Sequence, residues 1–400
     1  MSERITVAQA ISIIDAQPVA PRVVRVSLEQ AHGLRLAQDV VADRDYPPFD
    51  KSLMDGYVVR SQDLLRSEAV LQCINSVAAG NDAGPAIGEG QCVKIMTGAP
   101  MPPGADAVIP VESARADDRG VRLVGPAVKG KYIALRASDC RAGQVVLTRG
   151  VSLEAAALAV AASVGAAEVQ IFAAPQVAVL ATGNELVPFD QQPGPSHIRN
   201  SNSIMMVALL RRLGCEVVDL GVVNDDRAAV RAAVARGMEH DVLFVTGGMS
   251  MGDFDFVPGV LTSEGVEIKI SKLRIKPGKP FVFGVRQEPR QSYVFGLPGN
   301  PVSAFACTVR LCRRLLERLA GGQVRERWLN AALTEPLAAN GPREFYQPAI
   351  LHDDSRVTPL AWKGSADIYT LARANALLVR GENEPAQPAG ATVRLLEVPS

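Results

Sequence analysis

Between Pro175 and about residue 319 the chain alternates two patterns, and this alternation restricts the fold more than any other feature. Runs of continuous apolar character, VAVLAT (177–182), CEVVDLGVV (215–223) and DVLFV (241–245), are separated by segments of helical spacing at about 202–213 and in RAAVRAAVARGME (227–239). Strands alternating with helices build βαβ units and a mostly parallel sheet. Strands apolar on both sides fit burial on both faces. Gly214 ends the first helix, and Asp225 or Asp226 caps the second. In such an open sheet, ligands bind at the loops leaving the carboxyl ends of the strands.

Those loops carry the chemistry. In TGNEL (182–186), Gly183 lets backbone approach a ligand and Glu185 stands at the end of its strand. In TGGMSMGDFD (246–255), Gly247, Gly248 and Gly252 leave amides free for oxyanions. Asp253 and Asp255 lie two apart and share a face of an extended loop, which suits one Mg²⁺ completed by water and phosphate oxygens; alternatively one of them caps the following helix. KPGKP (276–280) fixes Lys276 and Lys279 on a proline-stiffened turn. GLPGNPVSAF (296–305) reads as strand, turn and helix, with Asn300 as N-cap and Pro301 in the first turn. The amides of that helix start form an anion site. A long helix over 302–319 follows, closed by Gly321-Gly322. No G-x-G-x-x-G follows a strand and no G-x-x-x-x-G-K-[ST] occurs, which argues against a dinucleotide dehydrogenase and a P-loop.

The flanking regions read differently. The first ~40 residues show helical spacing in ITVAQAISIID and VSLEQAHGLRLAQDVVA, and LEAAALAVAASVG (153–165) is a helix capped by Gly165. Packing of these helical pieces on each other would make the strands and Gly/Pro turns between them an inserted β module. Two stretches of that module stand out: FDKSLMDGYVVR (49–60), with Asp50, Ser52 and Asp55, and KIMTGAPMPPGADAVIPVE (94–112), with Thr97 at a strand end. On local grounds both are structural turns. From Arg325 onward, REFYQPAIL, ALLVR and ATVRLLEV read as a small C-terminal β-barrel.

Composition limits the function classes. Lys+Arg and Asp+Glu are both 42, so no basic excess points to nucleic acid. Six cysteines without a CxxC pair read as reduced thiols, and four scattered histidines give no zinc signature. The N-terminus is unlike a signal peptide, and the small-apolar run 155–167 is too short to span a bilayer. A cytoplasmic protein without a membrane partner is expected.

These stretches, in this order, resemble the molybdopterin molybdenumtransferase (MoeA) family, which includes the C-terminal domain of gephyrin and its plant counterpart. FDKS-MDGY, TGAP-P-GADAV, TGNEL, TGGMSMGDFD, KPGKP and GLPGNPVSA all fit, over nearly the whole chain. The resemblance implies a multidomain α/β plus β architecture. A discontinuous helical domain (1–46 and 139–174) holds an inserted β-rich domain (47–138). An αβα molybdopterin-binding domain (175–324) with a mostly parallel sheet and a C-terminal β-barrel (325–400) follow. It implies a homodimer with a shared active site, to which Asp55 and Thr97 contribute from the partner subunit. It implies Mg²⁺-dependent insertion of molybdenum from molybdate into adenylylated molybdopterin, releasing AMP.

By motif match, the resemblance gives catalytic roles to Asp55, Thr97, Glu185, Lys276 and Lys279. Substrate-binding roles fall to Asp139, Gly247, Gly248, Ser250, Pro298, Gly299, Asn300, Pro301 and Ser365, and metal-binding roles to Asp226, Asp253 and Asp255. Other proteins of molybdenum cofactor biosynthesis are the expected partners. Two departures stand out. ALRASDCRAG (134–143) keeps only Arg136 and Asp139 of a charged family stretch, and Pro348 stands where the family carries an arginine. They leave two alternative readings, a non-catalytic molybdopterin-binding scaffold and a molybdopterin adenylyltransferase.

Overall fold

The computed structural model describes residues 4–249 and 256–398. The chain divides into two compact units, one of residues 1–24, 33–37 and 170–400, the other of 25–32 and 38–169.

The larger unit contains the α/β layer. Its first helix, α1 (Val7–Asp15), begins with a capping box: Thr6 Oγ1 accepts from the Gln9 N–H (3.1 Å), and Gln9 Oε1 accepts from the Thr6 N–H (2.8 Å). Val7, Ala10 and Ile14 form one apolar stripe, fully buried in the core that also holds Leu315 and Leu316. So α1 packs on the α/β layer. The expected second helix is absent. Over 26–42 there is one 3-10 turn, Leu28–Gln30, then Gly33 at φ 75° and the short strands Arg35–Leu36 and Val40–Val41, while the β-branched VVRVS before it forms the strand Val23–Ser27.

The smaller unit holds a six-stranded sheet formed by β1 (Gly56–Val59), β2 (Glu68–Val77), β3 (Gln91–Ile95), β4 (Ala107–Pro110), β5 (Ala114–Asp117) and β6 (Gly120–Val124). Their order is β4-β1-β3-β2-β6-β5. All are antiparallel neighbours except the parallel pair β2–β3. Helix α2 (Ala155–Ser163) ends at Gly165, as its sequence requires. With φ at 75°, Gly165 donates to the Ala162 carbonyl (3.1 Å) and Ala166 donates to that of Ala161 (3.0 Å).

The α/β sheet comprises β7 (Gln176–Thr182), β8 (Glu216–Val223), β9 (Val242–Thr246), β10 (Glu267–Ile270), β12 (Val282–Arg286) and β13 (Ser292–Leu297), in the order β8-β7-β9-β13-β12-β10. Five strands run in one direction, and only β12, between β13 and β10, runs antiparallel to them. Helices α3 (Ser201–Arg212), α4 (Arg227–Gly237) and α5 (Val257–Ser263) connect them. Phe244, Phe281 and Phe283 all pack on Phe295, with ring centroids 5.0–6.0 Å apart. The expected long helix is α6 (Pro301–Cys307), a π turn at Thr308–Cys312 and α7 (Arg313–Leu319).

Strands β14 (Trp328–Leu333), β15 (Glu344–Leu351), β16 (Arg356–Pro359), β17 (Ala376–Arg380) and β18 (Thr392–Glu397) follow. They pair as β15-β16-β14-β18-β17 and close on β15, giving the C-terminal barrel. The short strand β11 (Ile275–Lys276) adds to β15 in parallel.

Candidate functional site

Strands β7, β9 and β13 end at one level, because Ala181 pairs with Thr246 and Thr246 with Leu297. Their loops therefore leave the sheet side by side, and Gly247 lies where they crowd. Its N–H donates to the Leu297 carbonyl (3.2 Å), its φ is 91°, and a Cβ there would stand 2.2 Å from the Thr182 carbonyl oxygen. Only glycine fits. The approach continues to Gly299, where a Cβ would sit 3.8 Å from the Gly247 Cα.

Side chains tie these loops together. Asn202, in the first turn of α3, donates through Nδ2 to the Gly299 carbonyl (2.6 Å). Asn184 and Asp225 exchange bonds: the Asp225 N–H donates to Asn184 Oδ1 (3.0 Å), and the Asn184 N–H to Asp225 Oδ2 (3.3 Å). Asp226 is the cap of α4, with Oδ1 accepting from the Ala229 N–H (2.8 Å). Its expected metal role is thus left to the other carboxylate oxygen. Glu185 is exposed beside Gly183. Two buried polar atoms at this edge, Thr182 Oγ1 and Asn202 Oδ1, have no hydrogen-bond partner among the described residues. Buried orphans are rare in folded proteins and point to a group supplied from outside.

The KPGKP turn is packed rather than free. A Cβ on Gly278 (φ 118°) would meet Cys307 Sγ at 2.4 Å. The Lys279 carbonyl accepts from the Leu273 and Phe281 N–H groups, both at 3.1 Å, while its side chain stays exposed. Lys276 pairs with Phe345 across β11 and β15, and its Nζ lies 4.4 Å from the Phe345 ring centroid. Pro301 opens α6 and Pro298 is buried before it. Asn300 occupies the N-cap position, but its side chain makes no capping bond and donates instead to Ser365 Oγ (2.9 Å). Since the Val302 N–H also donates to the Ser365 carbonyl (3.0 Å), Ser365 is part of this edge. Pro348 is buried in β15, opposite Leu377, while Gln347 and Phe345 share the half-buried face. Its partner Leu377 and its same-face neighbour Tyr346 belong to the α/β core, whereas Ala349 lines the barrel interior, so a side chain at position 348 points out of the barrel toward the α/β layer.

In the smaller unit, Asp55 and Thr97 meet directly. Asp55 Oδ1 accepts from the Thr97 N–H (2.6 Å) and from Thr97 Oγ1 (2.7 Å). These two bonds, the backbone one first, hold the Asp55 carboxyl below its ordinary range although it is exposed. The neighbouring Gly56 is required because a Cβ there would lie 2.0 Å from the Ile109 carbonyl oxygen. Asp139 is exposed, with its N–H on the Tyr46 carbonyl (2.9 Å) and Oδ1 accepting from Ser138 Oγ (3.1 Å). Ser250, Asp253 and Asp255 lie outside the described residues. Among the described residues no group of three or more His, Cys, Asp or Glu side chains could hold a metal ion. Thr182 and Asn184 lie inside TGNEL, whereas Asn202 and Phe345 belong to the edge with no sequence signal of their own, since their partners Gly299 and Lys276 are distant in the chain.

Fold and loop edge define a multidomain protein whose α/β layer carries glycine-rich turns, a helix start and a two-lysine turn. Family descriptions match along the chain in the same order: "MoeA N-terminal region (domain I and II)" over 5–165, "Probable molybdopterin binding domain" over 178–318 and "MoeA C-terminal region (domain IV)" over 330–398. The molybdopterin molybdenumtransferase of Nostoc sp. is 31% identical, over 94% of this chain and 88% of that one. The Staphylococcus aureus (strain COL) protein of the same name is 31% identical over 98% and 95%. The crystal structure of the molybdopterin biosynthesis moeA protein from Pyrococcus horikoshii OT3 superposes with a TM-score of 0.86 at 26% identity, covering 99% of this chain and all of that one. The chain belongs to the molybdopterin molybdenumtransferase family and is a transferase of molybdenum cofactor biosynthesis.

Proposed function

We propose that this enzyme is a Mg²⁺-dependent molybdenum insertase, which transfers molybdenum from molybdate into adenylylated molybdopterin and releases AMP. The observation that carries this reading is the convergence of Gly247, Gly299, Asn300 and Ser365 at one sheet edge, beside Thr182 Oγ1 and Asn202 Oδ1, which have no partner among the described residues. Such an edge binds phosphate-type oxyanions through amides and needs no nucleophilic side chain. Lys276 and Lys279 would bind oxyanions of molybdate or phosphate, and Gly247, Gly248, Pro298 and Pro301 would shape the pocket for the pterin nucleotide. The hard oxygens of Asp226, Asp253 and Asp255 are the donor type Mg²⁺ takes, with phosphate oxygens completing its shell, and Glu185 keeps its catalytic role. When bound, that ion would neutralise charge developing on the phosphoanhydride.

We assign Asp55 and Thr97 to the same reaction in a homodimer with a shared active site. Helix α2 supports a dimer, since it is apolar all round yet mostly exposed, with Ala161 its only buried residue. The four-domain division expected above, with its stated boundaries, and a cytoplasmic location are parts of the same proposal. No helix among the described residues is long and apolar enough to cross a membrane.

The test is incubation with adenylylated molybdopterin, molybdate and Mg²⁺. AMP release together with reconstitution of a molybdenum apo-enzyme is expected. Tight pterin binding with no AMP at saturating molybdate would favour a scaffold instead. ATP consumption with molybdopterin alone would indicate adenylyl transfer.

A further inference from the structure

Lys276 is central to the oxyanion reading, yet a lysine on an exposed turn has a flexible four-carbon stem and no fixed position of its own. The C-terminal barrel supplies one. Strand β11 pairs Lys276 with Phe345 of β15, and the ammonium rests 4.4 Å from the centroid of that ring. The Phe345 ring is itself stacked on Trp362, with centroids 5.9 Å apart and planes 25° from parallel. Both rings are half-buried, so the stack is anchored without being lost in the core.

An aromatic face holds a cation without cancelling its charge. A carboxylate in the same place would neutralise it, as Glu326 does for Arg310 and Arg314 and Glu384 for Arg380. No carboxylate lies within ion-pair distance of Lys276 among the described residues. The ammonium therefore keeps its charge and its N–H donors for an outside oxyanion, while its stem is restrained.

We propose that Phe345, braced by Trp362, is a positioning residue that presents the Lys276 ammonium to a substrate oxyanion, either molybdate or the phosphate of the pterin nucleotide. The inference rests on the role given to Lys276 above. The test is steady-state kinetics of AMP release in the full-length enzyme, with each substrate varied in turn. Phe345→Leu should raise one KM by about three- to tenfold, the size of a partly desolvated cation–π contact, with kcat within about twofold. The substrate whose KM rises identifies the oxyanion. Phe345→Tyr, which keeps the ring, should restore it, and Trp362→Leu, which removes only the brace, should fall between.

In a Lys276→Met background Phe345→Leu should add nothing. An equal increase there would show that the ring acts independently of the lysine and would overturn the proposal. If Phe345→Leu lowers the thermal midpoint, Trp362→Leu carries the same test, and unchanged KM values in both variants overturn it. If Lys276→Met itself leaves both KM values unchanged, the lysine reading falls and this inference with it. If Lys276→Met raises a KM and neither aromatic substitution does, only the positioning role fails.

Discussion

In the β-rich unit, Asp55 and Thr97 satisfy each other: one carboxylate oxygen takes both the N–H and the hydroxyl of its partner. The α/β edge is arranged the opposite way. There the loops are tied by Asn202 to Gly299, Asn184 to Asp225 and Asn300 to Ser365, while the Thr182 hydroxyl and the Asn202 carboxamide oxygen are left without partners among the described residues. One region is completed before any ligand arrives; the other is held in shape by backbone crowding and keeps polar capacity open. Preorganisation of the first kind orients a charge at little cost, whereas the second kind stores unmet hydrogen bonds that a ligand can satisfy.

The contrast predicts different responses to substitution. The largest effect is expected for Gly247→Ala, because its Cβ would meet backbone at 2.2 Å at a φ of 91°. We predict a loss of about 3 kcal/mol or more in urea unfolding, from overlap and backbone strain together. Gly98→Ala in the β-rich unit has a similar φ of 82° but only Ala79 Cβ at 3.7 Å, so strain alone should remain. That should cost about 1 kcal/mol. Equal losses at the two positions would mean that crowding does not distinguish the regions.

Next in size are the charged groups. Asp55→Asn and Lys279→Ala should each lower AMP release by about 10- to 100-fold, as loss of one charged transition-state contact does. Both residues are exposed, so the thermal midpoint should move by no more than about 1 °C. Unchanged turnover would remove that residue from the site.

A smaller effect of opposite sign is expected at Thr182→Val. Removing a buried hydroxyl that has no partner among the described residues should leave stability unchanged or raise it by up to about 1 kcal/mol, while substrate binding weakens. A clear destabilisation in the free enzyme would show that the hydroxyl is already satisfied and would break the contrast.

The smallest effect concerns pH. The Asp55 carboxyl titrates below its ordinary 3.8 because Thr97 bonds its ionised form. Its contribution to holding Thr97 is complete above the ordinary value and is lost only as pH falls through the lower folded one. Carboxyl NMR titration should therefore find no change between about pH 8 and 5. In Thr97→Val the midpoint should move up toward 3.8 but stay below it, since the stronger backbone bond remains.

Much of this could be read without coordinates. The strand–helix alternation placed β7, β8, β9 and their loops, and Gly165 and the pair Asp225-Asp226 were recognisable as helix boundaries, the structure choosing Asp226. The misreadings have physical causes. VSLEQAHGLRLAQDVVA has helical apolar spacing, but Gly33 takes a positive φ and Val40 and Val41 are β-branched, and the stretch forms one 3-10 turn and two short strands. Asn300 has the residue type and position of a cap, yet Ser365 offered its amide a better-placed partner 65 residues away.

What the sequence alone determined is local. The period of the apolar residues, the turns that demand glycine or proline and the ordered motifs set the class of fold and the family, because each depends on near neighbours in the chain. The tertiary structure decided which polar groups are satisfied and which remain open. Asn202 is tied to Gly299 across 97 residues, the Phe345 ring lies against the Lys276 ammonium, and position 348 faces the α/β core rather than the barrel interior. Hydrogen bonds and cation–π contacts act over a few ångströms of space, and only folding brings such distant residues within that range.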